Sequence, residues 1–525
     1  MIDTKIAKSH RHLVCYTFLM ALALVSFSFL LQGNIGLNLA DEGFLWYGTI
    51  QTADGKIPIL DFRSKDPGRY YWTAGWSLIF GQGITDLRLS VALFQVIGLT
   101  LGLLAARRVI TNWWILGLLG LLLLACMHPW WKLFDSCVAM AAVYMAIYLI
   151  ELPIFHRYFF SGVFVGLAAF FGRNHGLYIF LAFFSLIFFI WFRQKQGNLF
   201  KLYILWLLGI VVGYIPMLFM MIFIPGMFET YLFGNVLRHF KNGFTAGSLP
   251  LPISWPWTID YIQLDLLAKA EYFFYSLFSL LLPIFYISTI TWLVLSRSSD
   301  LRRHSLLIAS SFVGIFYMHH AFDRADLPHL AHSIHPFLLG FVALLYTSFL
   351  RNNKFLKISL AILIFASTVF AVVIPSNPYI EKLRFKDTFI PYNITGDQLW
   401  LPKDLAAYIE TIKQLVAKHV TPDESLFIAP HSPGLYPILQ RRAPVHNTYM
   451  LIPTTEDKQK KIIKDLKKHK VNWVILSDFA LDGRDDLRFR HTHPLVWQYL
   501  MTYFEPIDTQ QLPSSEQFLR RKIPL

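Results

Sequence analysis

Three cysteines in 525 residues, Cys15, Cys126 and Cys137, are too few to staple a fold, and each lies in or beside an apolar segment. A disulfide framework is therefore excluded. Charge is also scarce, at 15% of residues, and acids are scarcer than bases, 33 against 47. The resulting net charge of +14 could suggest nucleic acid, but the bases sit in small clusters between apolar runs instead of in one patch, so no nucleic-acid partner is expected. No internal repeat and no low-complexity tract is evident. What the chain has in quantity is apolar surface: 55% hydrophobic residues and 16% aromatics, with a mean hydropathy of +0.46. That excess makes lipid its main solvent.

Apolar stretches long enough, or nearly so, to cross a bilayer recur through the first 375 residues. Eleven are expected, near 13–32, 84–106, 112–127, 136–154, 158–172, 176–192, 202–224, 272–295, 305–319, 334–350 and 357–375. The first follows Lys5, Lys8 and Arg11 and has no small-residue cleavage site after it, which reads as a retained span and not a signal peptide. Positive residues then fall in the short loops of one side: Arg107 and Arg108, Arg157, Arg193 with Lys195 and Lys201, Arg297 with Arg302 and Arg303, and Arg351 with Lys354 and Lys357. By the positive-inside rule that side and the N-terminus are cytoplasmic, and an odd span count puts the C-terminus outside. Of the sixteen acids before residue 376, only Asp3, Glu151 and Asp300 then fall on the cytoplasmic side, so the outer face is where chemistry is to be sought.

Two outer loops are long, 33–83 and 226–271, and mix aromatics with polar residues as interfacial segments do. After Pro375 the pattern changes. An amphipathic helix is expected at 402–418, a strand at 425–429, a short helix after Gly434, a charged helix at 456–468 and a strand at 472–477. Strands alternating with helices predict a small α/β domain. The segment from Pro430 to Gly434 lacks the three-glycine spacing of a phosphate loop, so nucleotide binding there is not expected. The fold class is thus an all-α polytopic membrane domain of about eleven helices over residues 1–375, including the outer loop 33–83, followed by a small soluble α/β domain over 376–525.

Several polar groups carry candidate chemistry. Asp41 and Glu42 directly follow the first span; a carboxylate there can act as a general base or hold a divalent metal, or the pair can simply favour the N-terminus of a helix starting near Gly43. The stretch Asp61, Phe62, Arg63, Ser64, Lys65, Asp66, Pro67, Gly68 reads as a loop folded back by ion pairs before an aromatic run. Arg173, in the run Arg173-Asn174-His175-Gly176, could grip a phosphate in a bidentate fork or snorkel to lipid headgroups. The densest group is His319, His320, Asp323, Arg324, Asp326, His329, His332 and His335. It has no HExxH spacing, and His329, His332 and His335 drift around a helix; phosphate or acceptor contact, a metal site and plain interfacial polarity all stay open. Arg238, His239 and Lys241 fit a solvated loop better than a guide for an anionic lipid.

Taken together these residues resemble the membrane glycosyltransferases of the GT-C superfamily, near the protein O-mannosyltransferase and aminoarabinose-transferase branch. The Asp-Glu pair after the first span is matched by Asp41 and Glu42. The Asp-Phe followed by proline and aromatics is matched by Asp61, Phe62, Pro67 and Tyr70, and the arginine opening the next span by Arg88. The acid of the short second outer loop is matched by Asp135. One departure is Asp66-Pro67-Gly68, where the family has Pro-Pro. The resemblance implies an inverting enzyme, a hexosyl- or pentosyltransferase, that moves a sugar from a polyprenyl-phosphate donor to a lipid, glycan or protein acceptor on the outer face. It implies Asp41 first, Asp135 second and Glu42 third as base or metal ligand. Asp61, Arg63, Asp66, Arg88, Arg173, His175, Arg324, Asp326, His329 and His332 would contact substrate, and a divalent metal is an optional cofactor, with Asp41 and Asp135 as its candidate ligands. A bacterial inner membrane with the C-terminal domain in the periplasm is the expected location. The rival readings are a transporter of lipid-linked or anionic substrates and a non-catalytic envelope assembly protein.

Overall fold

The computed structural model describes residues 2–195, 197–237, 249–296, 300–346, 353–507 and 512–523. Arg238, His239, Lys241, Arg297 and Arg351 lie outside the described residues. The chain divides into two compact units. The first comprises Met1–Gly33, Val91–Phe228 and Asn242–Arg384, and the second Asn34–Ser90, Glu229–Lys241 and Phe385–Leu525. The loop between the first two apolar helices therefore belongs to the same unit as the C-terminal domain.

The first unit is helical. Among the described residues seven helices are long and apolar enough to cross a membrane, or nine if each of two bent pairs counts as one span. The expected count of eleven is corrected by length: Trp113–Ala125 has 13 residues and Phe155–Phe171 has 17. At 1.5 Å per residue these reach only roughly 20 and 26 Å against a hydrocarbon core of roughly 30 Å. Two further expected spans are broken, Leu199–Gly213 with Ile215–Phe223 by 58° and Leu327–Ser333 with His335–Leu345 by 48°. Pro216 and Pro336 stand at the start of the second member of each pair, where proline lacks an N–H and its ring crowds the turn before it. Every expected apolar segment is helical where described, and the chain is an integral membrane protein.

Packing in this unit exploits small residues. A Cβ on Gly162 or Gly166 would lie 2.0 or 2.3 Å from the carbonyl oxygens of Trp206 and Ile210, and one on Gly209 or Gly213 would lie 2.1 or 2.0 Å from those of Phe159 and Val163. The Phe155–Phe171 and Leu199–Gly213 helices thus pack backbone to backbone through a Gly-xxx-Gly on each. Lipid supplies no hydrophobic drive between helices, so this close approach stabilises the pair by dispersion.

The second unit carries the sheets. β1 (Phe389–Ile394) and β2 (Asp397–Pro402) form an antiparallel hairpin. β3 (Leu426–Ala429), β4 (Trp473–Ser477), β5 (Phe504–Pro506) and β6 (Glu516–Arg521) form a sheet of order β3-β4-β6-β5, with β3 and β4 parallel and the other pairs antiparallel. β3 and β4 are buried along their whole length, as strands covered on both faces must be, and so read as continuous apolar runs. The crossover between them includes Glu456–Lys468, whose Ile462 and Leu466 pack into a core with Phe427, Val474, Leu476 and Leu500. The helices Lys403–His419 and Glu456–Lys468 and strands β3 and β4 lie where the sequence places them. The hairpin, β5, β6 and the Pro494–Tyr503 helix were not foreseen.

Candidate functional site

In the second unit the helix Asp41–Ala53 begins with the two acids, and their fates differ. Asn38, two residues before the N-cap Ala40, braces the approach to this helix: its Oδ1 accepts from the N–H groups of Ala40 and Asp41 at 3.0 and 2.8 Å. This bracing does not consume the carboxylates. Glu42 is 1% exposed and takes a bidentate fork from Arg88, with Nε donating to Oε1 at 2.7 Å and Nη2 to Oε2 at 2.9 Å. Glu42 Oε2 also accepts from the Asn38 N–H at 3.2 Å, and Arg88 Nη2 donates to the Gly36 carbonyl at 2.7 Å. Both partners are saturated, so this pair ties the start of the loop to the helix Ile84–Ala106.

Asp41 is half-buried and accepts a hydrogen bond from the Tyr449 hydroxyl, 408 residues further along the chain. Glycine makes that meeting possible. A Cβ on Gly43 would fall 2.4 Å from the backbone nitrogen of Gly434, and Gly434 N–H donates to the Leu39 carbonyl at 2.9 Å. The segment 431–434 therefore lies against the start of the helix and brings His431, whose ring stands 6.3 Å from that of Tyr449. Burial pushes the His431 imidazole down to about 4, with the negative charge of Asp41 pulling the other way. His431 is neutral at pH 7. No reading of the sequence singled out Tyr449 or His431; nothing short of the fold links them to Asp41.

The remaining loop residues are braces. Arg63 Nη1 donates to Asn447 Oδ1 at 3.0 Å and to the Tyr449 carbonyl, while its N–H donates to the His446 carbonyl at 2.8 Å. Arg63 thus positions the strand of chain that carries Tyr449. Asp61 Oδ2 closes a turn by accepting from the Ile57 N–H at 2.7 Å. Asp66 is buried and immediately precedes the helix Pro67–Phe80, where proline at the first position suits a helix start. At the far end of the Asp41–Ala53 helix a cavity of about 410 Å³ is lined by Trp46, Gln51, Asp54, Gln82, Gln440 and Arg442, and by none of the candidate residues.

The first unit holds the other group. Asp135 sits in the first turn of Leu133–Glu151 and is 6% exposed. His175 Nε2, near the start of Arg173–Gln194, is 2.8 Å from Asp135 Oδ1, and its ring stacks on Tyr317 at 5.6 Å. His320 Nε2, in the last turn of Ser305–Asp323, is 3.9 Å from Asp135 Oδ2. His332, fully buried in Leu327–Ser333, completes a set with Asp135 and His320 whose donor atoms all lie within 4.8 Å of one another. Among the described residues this is the group of three that could hold a metal ion, and Asp41 is in none. Arg173 opens its helix half-buried.

The polar loop 319–335 separates into distinct jobs. Asp326 caps Leu327–Ser333: its Oδ1 accepts from the His329 N–H at 3.1 Å and faces His329 Nδ1 at 2.5 Å, and its Oδ2 accepts from Arg324 Nε at 2.5 Å. Burial pushes the Asp326 carboxyl up, but the bonds from His329 outweigh it and hold the group well below the usual carboxylate range. Arg324 also donates to the Leu249 carbonyl at 2.9 Å. His335 faces the Leu123 carbonyl at 3.0 Å in the core, and His319 Nδ1 meets the Tyr178 hydroxyl at 3.0 Å. His320 was legible in the cluster by composition, yet only the helix packing singles it out beside Asp135.

No family model matches the chain, and no curated protein does. Among solved structures it resembles ArnT from Cupriavidus metallidurans bound to undecaprenyl phosphate, with a TM-score of 0.53 at 13% identity over 96% of this chain and 97% of that one. The chain shares the fold of that structure. The apo oligosaccharyltransferase of Archaeoglobus fulgidus is similar at a TM-score of 0.48 and 11% identity, over 97% of this chain and 75% of that one. At 13% identity the likeness to ArnT is one of backbone path, and any chemistry must rest on the side chains themselves.

Proposed function

We propose that the chain is an inverting membrane glycosyltransferase that moves a hexosyl or pentosyl group from a polyprenyl-phosphate donor to an acceptor on the outer face. The observation that carries the reading is Asp41: a half-buried carboxylate held by the Tyr449 hydroxyl at the start of the loop helix, in a chain with the GT-C fold. ArnT, which shares that fold, was solved with undecaprenyl phosphate, and a long isoprenoid phosphate suits a helical unit with many lipid-facing apolar side chains.

In this scheme Asp41 takes the proton from an acceptor hydroxyl or amine as its oxygen or nitrogen bonds to the anomeric carbon. The bond from that carbon to the phosphate oxygen breaks on the opposite face, which inverts the centre. Tyr449 holds the carboxylate in place, and neutral His431 adds no positive charge of its own beside it. Glu42 and Arg88 position the loop and do not react. Asp135 supports the base or a metal, while Arg173, Arg324 and His329 offset, by positive charge or N–H groups, the charge that leaves with the lipid. The clustered bases of the short loops support a cytoplasmic N-terminus and a periplasmic 376–525 domain in a bacterial inner membrane. We keep a division near residue 375 between the membrane part and the 376–525 domain, although the 33–83 loop groups with that domain in one compact unit.

One test is consumption of a polyprenyl-phosphate sugar by the purified full-length protein, with Asp41→Asn and Asp135→Asn compared at equal folded fraction. Accumulation of a prenyl-linked sugar in the lipids of a deletion strain, with loss of its product, would identify the donor. The two broken helix pairs favour a second reading as a transporter, since such folds bind at helix breaks. That reading predicts movement of intact labelled lipid across proteoliposomes without release of the sugar.

A further inference from the structure

We propose that Asp135, His320 and His332 bind one transition-metal dication of the zinc class, with a fourth coordination position left open. The inference goes beyond the transferase reading and does not depend on it. Three helices, two of them consecutive in the chain and the third far earlier, deliver one carboxylate and two imidazoles to a single point, with all donor atoms within 4.8 Å of one another. A tetrahedral zinc site with bonds of about 2.0–2.1 Å has donor atoms roughly 3.4 Å apart, which small rotations of the two rings can reach.

A second observation points to a missing ligand. His332 is fully buried, and among the described residues neither of its ring nitrogens has a hydrogen-bond partner; the same holds for His320 Nε2. Buried imidazole nitrogens are nearly always paired, because an orphaned one forfeits its hydration for nothing. At least one nitrogen of each ring bears a lone pair when neutral, and a metal ion is the partner that satisfies lone pairs on two imidazoles and a carboxylate together.

The surroundings fit a metal centre. His175 contacts the other oxygen of Asp135 at 2.8 Å and is itself fixed against Tyr317, the kind of outer partner that orients a ligating carboxylate. His329 and His335 are already committed, to Asp326 and to the Leu123 carbonyl, so the donor set ends at three. Two imidazoles and one carboxylate favour zinc, cobalt or iron over magnesium, which prefers oxygen donors and keeps its waters. Three protein ligands with an open position are the pattern of reactive and not of purely structural zinc sites.

The test is metal content, not turnover. Full-length protein purified in detergent without chelator, and again after chelation and reloading with Zn2+ or Co2+, is assayed by elemental mass spectrometry and visible absorption. About one Zn2+ or Co2+ per chain is expected, with the intense visible bands of low-coordinate Co2+ and no displacement by a large excess of Mg2+. His320→Ala and His332→Ala should abolish both signals, while His329→Ala and His335→Asn retain them. If either ligand variant fails to fold, the wild-type Co2+ spectrum decides alone. Folded wild-type protein that takes up no Zn2+ or Co2+, or ligand variants that bind them as well as wild type, overturns the proposal.

Discussion

Two buried acids, one in each unit, are met by different partners. In the second, Glu42 is answered by a guanidinium that fills both its oxygens, and the result is a strut. In the first, Asp135 meets the imidazoles of His175, at 2.8 Å, and His320, at 3.9 Å. A carboxylate forked by a buried guanidinium, as Glu42 is, has spent its charge on structure, whereas Asp41, its sequence neighbour, takes the Tyr449 hydroxyl and no part of that fork.

The largest effect should come from breaking the strut. Glu42→Ala strands the buried Arg88 guanidinium and should cost about 3–5 kcal/mol in unfolding free energy, whereas the apolar double variant Glu42→Leu/Arg88→Met should recover most of it. Thermal unfolding of the full chain checks both, and a single variant as stable as the double would refute the strut. Asp41→Asn should instead leave the melt unchanged while turnover drops by roughly 10²–10⁴, the span of general-base contributions. Equal loss of stability and activity there would erase the contrast.

Acid should weaken the second unit. With the folded His431 held at about 4, below its ordinary value of 6.5, the unfolded chain binds a proton between those limits that the folded chain refuses. Its contribution is intact above pH 6.5 and lost as the pH falls to 4, worth on the order of 3 kcal/mol across that range. His493, pushed down to about 4 chiefly by burial, adds in the same direction. Melting points of wild type and His431→Gln between pH 7 and 4.5 should therefore converge toward acid. In the first unit, Gly213→Leu should force apart the helix pair built on Gly162 and Gly209 and cost about 1–3 kcal/mol, with no pH dependence. The smallest effect should be that of Arg63→Ala: loss of its bond to Asn447 should cost about 1 kcal/mol and raise KM more than it lowers kcat, seen in steady-state kinetics.

Much of the fold was readable because lipid enforces it. A bilayer demands long apolar helices, and periodicity cannot hide a run such as Ile84–Ala106 or Arg173–Gln194. Length alone misled where proline intervened, since Pro216 and Pro336 bend apolar runs that composition reads as continuous. In the C-terminal region the fully buried β3 and β4 announced themselves as apolar runs, while β6, with Arg520 exposed and Arg521 buried at its end, carries a pattern too mixed to read.

The site divides along the same line. By itself the sequence determined that acids gather between apolar helices, that Asp41, Glu42 and Asp135 stand at helix starts, and that histidines crowd the stretch 319–335. Only the tertiary structure decided which acid is spent and which is kept. Glu42 meets Arg88 across 46 residues, Asp41 meets Tyr449 across 408, and Asp135 meets His320 and His332 from separate helices. The reason is that a charge acquires its role from the groups that desolvate and pair it, and in a chain this long those groups come from segments whose sequence separation carries no periodic signal.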